Sequence, residues 1–124
     1  MKPQKTLHME YIYQNCFWDH EGLFTLPIMS IDAKSSCMMY ASYDEPDVVT
    51  LANLQVHSKA RGQGRGQELL RFCEDIARKR CFDRIHLKAQ TDSWMMQWYI
   101  REGYVPFAKD KRQPEVYTWL EKTL

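Results

Sequence analysis

The sequence predicts an α+β fold: a mixed, mostly antiparallel twisted sheet of six to seven strands, with one parallel pair and two main helices. Three observations predict it. Residues 7–56 form short runs rich in β-branched and aromatic side chains, separated by polar breaks. From Leu69 the apolar residues recur at helical spacing. A short run, Arg84 to Ala89, follows that helix, and a strand–helix–strand unit makes its two strands parallel neighbours. With 124 residues, 44% of them hydrophobic, residues 1–124 are expected to form a single domain around one core.

Leu7 to Tyr13 reads as the first strand and Asn15 to Gly22 as a turn. Leu23 to Ile31, Ser36 to Tyr43 and Val48 to Val56 are three more strands, separated by Asp32-Ala33-Lys34-Ser35 and Asp44-Glu45-Pro46-Asp47. Connections this short make an antiparallel meander, because a parallel pair needs a longer crossover. Pro27 implies an edge position or a bulge in the second of these strands. In the first helix Leu69, Leu70, Cys73, Ile76 and Ala77 share one face, with Glu68, Arg71, Glu74, Asp75 and Arg78 on the other. Arg78-Lys79-Arg80 lies in its last turn, where cations suit the dipole. Asp92 or Ser93 caps a second helix from Trp94 to Glu102, which Gly103 stops. Tyr104 to Ala108 and Glu115 to Leu120 form a final hairpin.

The net charge of +1 gives no global drive toward nucleic acid or membrane, and the basic residues lack interleaved aromatics for base stacking. The halves differ: residues 1–57 carry three basic and seven acidic residues, a net of −4, and residues 58–124 carry fourteen and nine, a net of +5. Cys16, Cys37, Cys73 and Cys81 form no CxxC pair, and the start shows no signal-peptide pattern, so a reduced, cytoplasmic protein is expected. No apolar run approaches the length of a membrane-spanning helix. His8, His20, His57 and His86 are scattered without HxxxH or HExxH spacing, so no metal is expected; His86 is placed on the polar or the helix-covered side of its strand. Trp94, Met95, Met96 and Trp98 crowd one helix and are assigned to core or dimer packing in preference to a substrate cage.

One stretch organises the chain. Leu54-Gln55-Val56 ends a strand, Arg61-Gly62-Gln63-Gly64-Arg65-Gly66 turns, and Gln67-Glu68-Leu69-Leu70 opens the helix. Glycine at alternate positions permits positive φ, and the first N–H groups of a helix lack acceptors and sit at the positive end of its dipole. That is an anion site, to which Arg61 and Arg65 add charge. A P-loop needs GxxxxGK[ST], and no Lys-Ser or Lys-Thr follows Gly64 or Gly66. A dinucleotide fold needs GxGxxG, whereas the spacing here is GxGxG and Asp83 precedes the next strand.

The stretch resembles the signature of the GNAT superfamily of acyl-CoA-dependent N-acetyltransferases, Arg/Gln-x-x-Gly-x-Gly/Ala opening a helix after a strand. A second block of that family, a Tyr four residues before a Gly-aromatic pair, matches Tyr99-Ile100-Arg101-Glu102-Gly103-Tyr104. The resemblance covers residues 48–108 closely and the strand order of the chain loosely. It implies that Arg61, Gly62, Gln63, Gly64, Arg65, Gly66 and Gln67 hold the pyrophosphate of acetyl-CoA through backbone N–H groups. It also implies that Leu54, Gln55 and Val56 face the pantetheine arm and acetyl carbonyl where two parallel strands splay apart. Direct transfer to an amine needs an oxyanion donor, for which the Val56 N–H is the candidate, and an acid for the departing thiolate. Tyr99 is that acid, protonated at neutral pH because a phenol titrates near about 10.

The chain departs from the family pattern in three places. Asp92 or Ser93 stands where many members carry an Asn that touches the cofactor. Members often place a Glu base on the strand equivalent to Val48–Val56, whereas this strand offers Thr50, Asn53 and Gln55; Glu45, Asp47, His57 or a water chain remain open as the base. Between the first two strands, where members have one or two helices, there is only Gln14 to Gly22. The acceptor site is then either open, suiting a peptide or protein amine, or completed by a second subunit of a homodimer. The expected activity is N-acetylation of a primary amine in a ternary complex; the alternative is a CoA-binding or interaction module with the same fold and little catalysis.

Overall fold

Alternating burial builds the sheet. In the computed structural model, which describes residues 10–13 and 22–124, the strands are β1 (Tyr11–Tyr13), β2 (Leu23–Ser30), β3 (Ser35–Ser42), β4 (Glu45–Val56), β5 (Arg84–Gln90), β6 (Val105–Lys109) and β7 (Tyr117–Thr123). Phe24, Leu26 and Ile28 of β2, Cys37, Met39 and Ala41 of β3, and Val49 and Leu51 of β4 all point to one face and are buried. The sheet runs β1-β2-β3-β4-β5-β7-β6, and β4–β5 is its one parallel pair. This is the predicted mixed sheet. Leu7–Met9 of the predicted first strand and Asn15–Glu21 of the predicted turn lie outside the described residues.

Helices α1 (Arg65–Lys79) and α2 (Trp94–Arg101) carry the two crossovers. Both crossovers step across the sheet in the same direction, so the right-handed rule puts both helices on the same face. The core agrees: Leu69, Leu70, Cys73, Ile76 and Ala77 of α1 and Met96 and Tyr99 of α2 join one cluster with Ile85, Leu87 and Ala89 of β5 and Leu120 of β7. Each fully buried leucine or isoleucine contributes about 1.5–3 kcal/mol. The opposite face, here the open face, carries Leu23, Thr25, Pro27 and Met29 of β2 and is covered by neither α1 nor α2.

Three expectations are corrected. The β3–β4 turn is Tyr43-Asp44, and β4 begins at Glu45, because Ser42 pairs with Glu45. Pro27 sits in an interior strand with no bulge in its pairing to β3; among the described residues β1 pairs with Ile28 to Ser30 and not with Pro27. Glu74, expected on the solvent side of α1, is 1% exposed. It accepts from Arg71 Nη1 (2.8 and 2.9 Å), Tyr104 Oη (2.8 Å) and Lys122 Nζ (3.1 Å), so three donors from three parts of the chain neutralise its burial. Helix α2 is capped by Ser93, whose Oγ accepts from Met96 N at 3.1 Å. Helix α1 ends without a glycine: Cys81 takes φ +67° while Phe82 N bonds Ala77 O and Cys81 N bonds Arg78 O, a Schellman closure.

Candidate active site

The parallel ladder is short. It runs from Val48↔Arg84 to Leu51↔Leu87, after which β4 continues to Val56 and β5 to Gln90 without pairing to each other. A bulge starts the divergence: Met38 pairs with Ala52 and Ser36 with Gln55, so two residues of β4 oppose one of β3, and Asn53 takes φ +56°. At the end of β4, His57 N donates to Lys34 O at 2.7 Å. Successive peptide groups of a strand point in opposite directions, so the N–H and C=O of Val56 turn from β3 toward the gap between β4 and β5. Arg61 Nε donates to that carbonyl at 2.9 Å and holds the strand end.

Beyond the gap the chain makes a 3₁₀ turn, Ser58–Ala60, and then the glycine loop. Gly62 and Gly64 adopt φ +76° and +75°, and a Cβ at either would meet nothing within 4 Å. Their glycines answer to backbone conformation, and open space stands above them. Gly66 is different: its Cβ would stand 3.6 Å from the Trp98 ring and 3.8 Å from Val56 Cγ2. The first bond into α1 is Glu68 N to Gly64 O at 3.0 Å. Among the described residues, the N–H groups of Gly62, Gln63, Gly64, Arg65, Gly66 and Gln67 have no protein acceptor. Six consecutive free donors at a helix N-terminus fit an anion.

The two arginines serve structure more than the sequence suggests. The Arg65 guanidinium lies under the loop and grips the β2–β3 turn: Nη2 and Nη1 reach Asp32 (2.9 and 3.1 Å), and Nη2 also reaches Ser30 and Ser35 Oγ. That pair holds the Asp32 carboxyl far below the usual carboxylate range, the Arg65 hydrogen bond first among the causes. Arg65 Nε is buried without a partner among the described residues.

A cavity of about 910 Å³ opens over this loop. It gathers Leu54, Gln55, Val56, Arg61, Gly62, Arg65 and Gly66 of the predicted set, and adds His57, Ser58, Ala60, Trp94, Met95 and Trp98. Gln63, Gly64, Gln67, Asp92 and Ser93 do not line it. Gln67 Nε2 donates to Glu102 at 3.0 Å, and Ser93 Oγ is occupied as the cap of α2. A smaller cavity of about 520 Å³ lies beside the bulge, with Ile12, Pro27, Met29, Ser36, Met38, Asn53 and Gln55 in its walls.

The family model for the acetyltransferase (GNAT) family matches residues 2–99. The chain belongs to the GNAT acetyltransferase family. No curated protein sequence matches it. Among solved structures, a GNAT acetyltransferase of Elizabethkingia anophelis with acetyl-CoA bound superposes with a TM-score of 0.73 over 94% of this chain and 99% of that one, at 12% identity. A proposed acyl-CoA N-acyltransferase of Klebsiella pneumoniae gives 0.68 over 83% and 73%, at 23% identity. An IAA acetyltransferase of Bacillus cereus gives 0.70 over 81% and 78%, at 15% identity. At these identities the likeness is one of fold.

In this GNAT chain Tyr99 is packed in the core, 6% exposed, against Trp98 and Tyr104 (ring centroids 5.2 and 6.0 Å), and it does not line the large cavity. Burial pushes its phenol up to about 12, with smaller contributions from Cys37 and Cys73. Of the open base candidates, Glu45 and Asp47 stand at the opposite end of β4 from Val56; nine residues separate Asp47 from Val56, roughly 30 Å of strand. His57 borders the cavity, but its Nδ1 accepts from Lys59 N at 3.1 Å, so in the neutral ring its other nitrogen carries the proton. Sequence reasoning missed the tryptophans. Core or dimer packing was expected of this group: Met96 is buried and Met95 and Trp98 pack against the core, while Trp94, 68% exposed and nearly parallel to Trp98 at 6.4 Å, edges the cavity with it. Exposed tryptophans four residues apart on the helix facing the glycine loop were the available signal.

Proposed function

We propose that the chain transfers the acetyl group of acetyl-CoA to a primary amine by direct attack, both substrates being bound together. The observation that carries this reading is two features lining one cavity: the Val56 peptide facing the gap, and the Gly62, Arg65 and Gly66 positions of the glycine loop, whose N–H groups have no acceptor among the described residues. The loop donors fit a pyrophosphate. In this reading Gly62 to Gln67 bind the cofactor's phosphates, and Leu54 to Val56 orient the pantetheine arm. The Val56 N–H donates to the carbonyl oxygen as charge develops on it. Asp92 and Ser93 lie outside the cavity lining, with Ser93 Oγ capping α2, and are given no cofactor contact. In this reading Tyr99, packed beside the cavity residue Trp98, is the acid that protonates the departing thiolate, and burial keeps its proton on at neutral pH. No cysteine is needed as a nucleophile.

The test pairs binding with turnover. Acetyl-CoA titrated into the protein should perturb the fluorescence of Trp94 and Trp98, which edge the cavity. Thiol release should then depend on an added amine from a panel of spermidine, a lysyl peptide and an arylamine. Tight binding with no release for any amine would favour a CoA-binding module, and an unchanged Trp signal would remove the cofactor assignment.

A further inference from the structure

We propose that His86, held by Glu121, is the general base that takes the proton of the acceptor amine. The proposal rests on the acetyl-transfer reading. It starts from what β4 lacks: between Val48 and Val56 it carries no carboxylate or imidazole. Pairing registers then place Tyr40 opposite Thr50, Thr50 beside His86, and His86 opposite Glu121. Thr50, His86 and Glu121 therefore form one row on the open face of three adjacent strands. Leu87, the next residue of β5, makes the last pair with β4, so the row lies at the vertex of the gap.

The geometry fixes the tautomer. His86 Nε2 and Glu121 Oε1 are 3.1 Å apart. An ionised carboxylate can only accept, so Nε2 carries the proton and the Nδ1 lone pair has no partner among the described residues. The ring packs against Phe107 at 4.6 Å, and the side chains of His86 and Glu121 are 17% and 29% exposed, shielded yet reachable. The charged groups that face His86 are Glu121 from β7 and, on its own strand, Arg84 and Lys88. The Lys88 ammonium is drawn off to Asp110 (3.7 Å) and over the rings of Tyr117 and Trp119 (4.8 and 5.6 Å). Thr50 from β4 and Phe107 from β6 bring no charge.

Thr50, His86 and Glu121 line neither cavity, so in this proposal the amine enters from the open face and passes the row on its way to the gap. Thr50 precedes Leu54 by four residues of β4, about 13 Å at 3.3 Å per residue, and the bulge at Asn53 shortens that path. The proton therefore travels along bridging waters to Nδ1. The nitrogen lone pair forms the C–N bond, the C–S bond breaks with its electron pair going to sulfur, Tyr99 protonates that sulfur, and the second proton shed by the nitrogen restores the Tyr99 phenol. The products are the amide, the free thiol and one released proton for each ammonium consumed. Glu121 is a positioning residue, fixing the tautomer and stabilising the charged ring.

The experiment compares the parent, His86→Gln and Glu121→Gln with whichever alkylamine of spermidine and a lysyl peptide the parent accepts, across pH 6.5 to 10. Near neutral pH, His86→Gln should lose at least tenfold in kcat/KM for the amine while the KM for acetyl-CoA stays within twofold. The deficit should shrink toward pH 10, where an alkylamine supplies its own free base. Glu121→Gln should show a smaller loss with the same pH trend. If the parent is active and either variant loses the same factor at every pH, or His86→Gln keeps the neutral-pH rate, the base assignment falls while the transferase reading stands. If the parent releases no thiol with any amine, both fall.

Discussion

Replacing Glu74 by Gln tests whether one buried carboxylate ties the helices to the sheet. Its two oxygens receive Arg71, Tyr104 and Lys122, and Arg71 and Lys122 also reach Glu102, just past the end of α2. The amide would keep the volume, lose the charge and turn two N–H donors toward groups that are donors themselves. Breaking a buried ionic cluster by removing one partner costs about 3–5 kcal/mol. The lower end applies, because the Arg71 side chain is 42% exposed and keeps Glu102 at 2.7 Å, and Lys122 keeps the Glu102 carbonyl at 3.1 Å, leaving Tyr104 as the group stranded. An unfolding entropy of about 2.1 cal/mol/K per residue over 124 residues gives roughly 0.26 kcal/mol/K, so a loss near 3 kcal/mol lowers Tm by about 12 °C. Urea unfolding and thermal melting followed by circular dichroism read both quantities. Tyr104→Phe should cost less, about 1–2 kcal/mol, since the carboxylate retains its two cations. A Glu74→Gln protein within 1 kcal/mol of the parent, or less destabilised than Tyr104→Phe, would refute the carboxylate as the hub.

Tyr99→Phe should lower turnover well over tenfold with acetyl-CoA affinity nearly intact; unchanged turnover removes Tyr99 from the mechanism. The same variant has a pH signature, because above the ordinary phenol value of about 10 the unfolded chain loses a proton that the folded chain keeps until about 12. The parent's stability should fall through that window more steeply than the variant's, and superimposable alkaline unfolding curves would contradict the buried phenol. Gly64→Ala should weaken acetyl-CoA binding and cost about 1 kcal/mol through its φ of +75°, whereas Gly66→Ala meets only ordinary contacts and should be milder on stability; calorimetric titration and melting that reverse this order would sink the distinction.

Most strands were legible because alternation writes itself into β2, β3 and β5, and α1 because Leu69, Leu70, Cys73, Ile76 and Ala77 keep one helical face. The glycine loop was legible because positive φ leaves a compositional trace at Gly62 and Gly64. What failed to show was tertiary. Glu74 reads as a surface residue, since its neutralising partners Tyr104 and Lys122 lie 30 and 48 residues away. The hold of the Arg65 guanidinium on Asp32 does not show either, since Asp32 is 33 residues upstream. The stop of α1 at Cys81 leaves no glycine to see, and the bulge at Asn53 looks like any other strand residue.

These long-range pairings divide the labour between the two faces of the sheet. On the helix side, Arg65 locks the glycine loop to the β2–β3 turn, and the Glu74 cluster locks the end of α2 to α1 and β7. The loop and Tyr99 are thereby held relative to one another by ionic contacts distant from the gap. A loop so anchored offers its N–H groups preorganised, so binding an anion there spends little free energy on ordering backbone. Among the described residues the open face shows no comparable lock at the gap: β4 and β5 part after Leu51 and Leu87, and the His86–Glu121 hydrogen bond and the Lys88–Asp110 ion pair lie on the β5–β7 side. On the proposed reading, an acceptor at this face would find the polar β5–β7 side chains on one side and the small cavity beside the bulge on the other. Acceptor preference should therefore follow substitutions in Met38, Tyr40 and Asn53 more than any in the glycine loop. Cofactor affinity should follow the reverse.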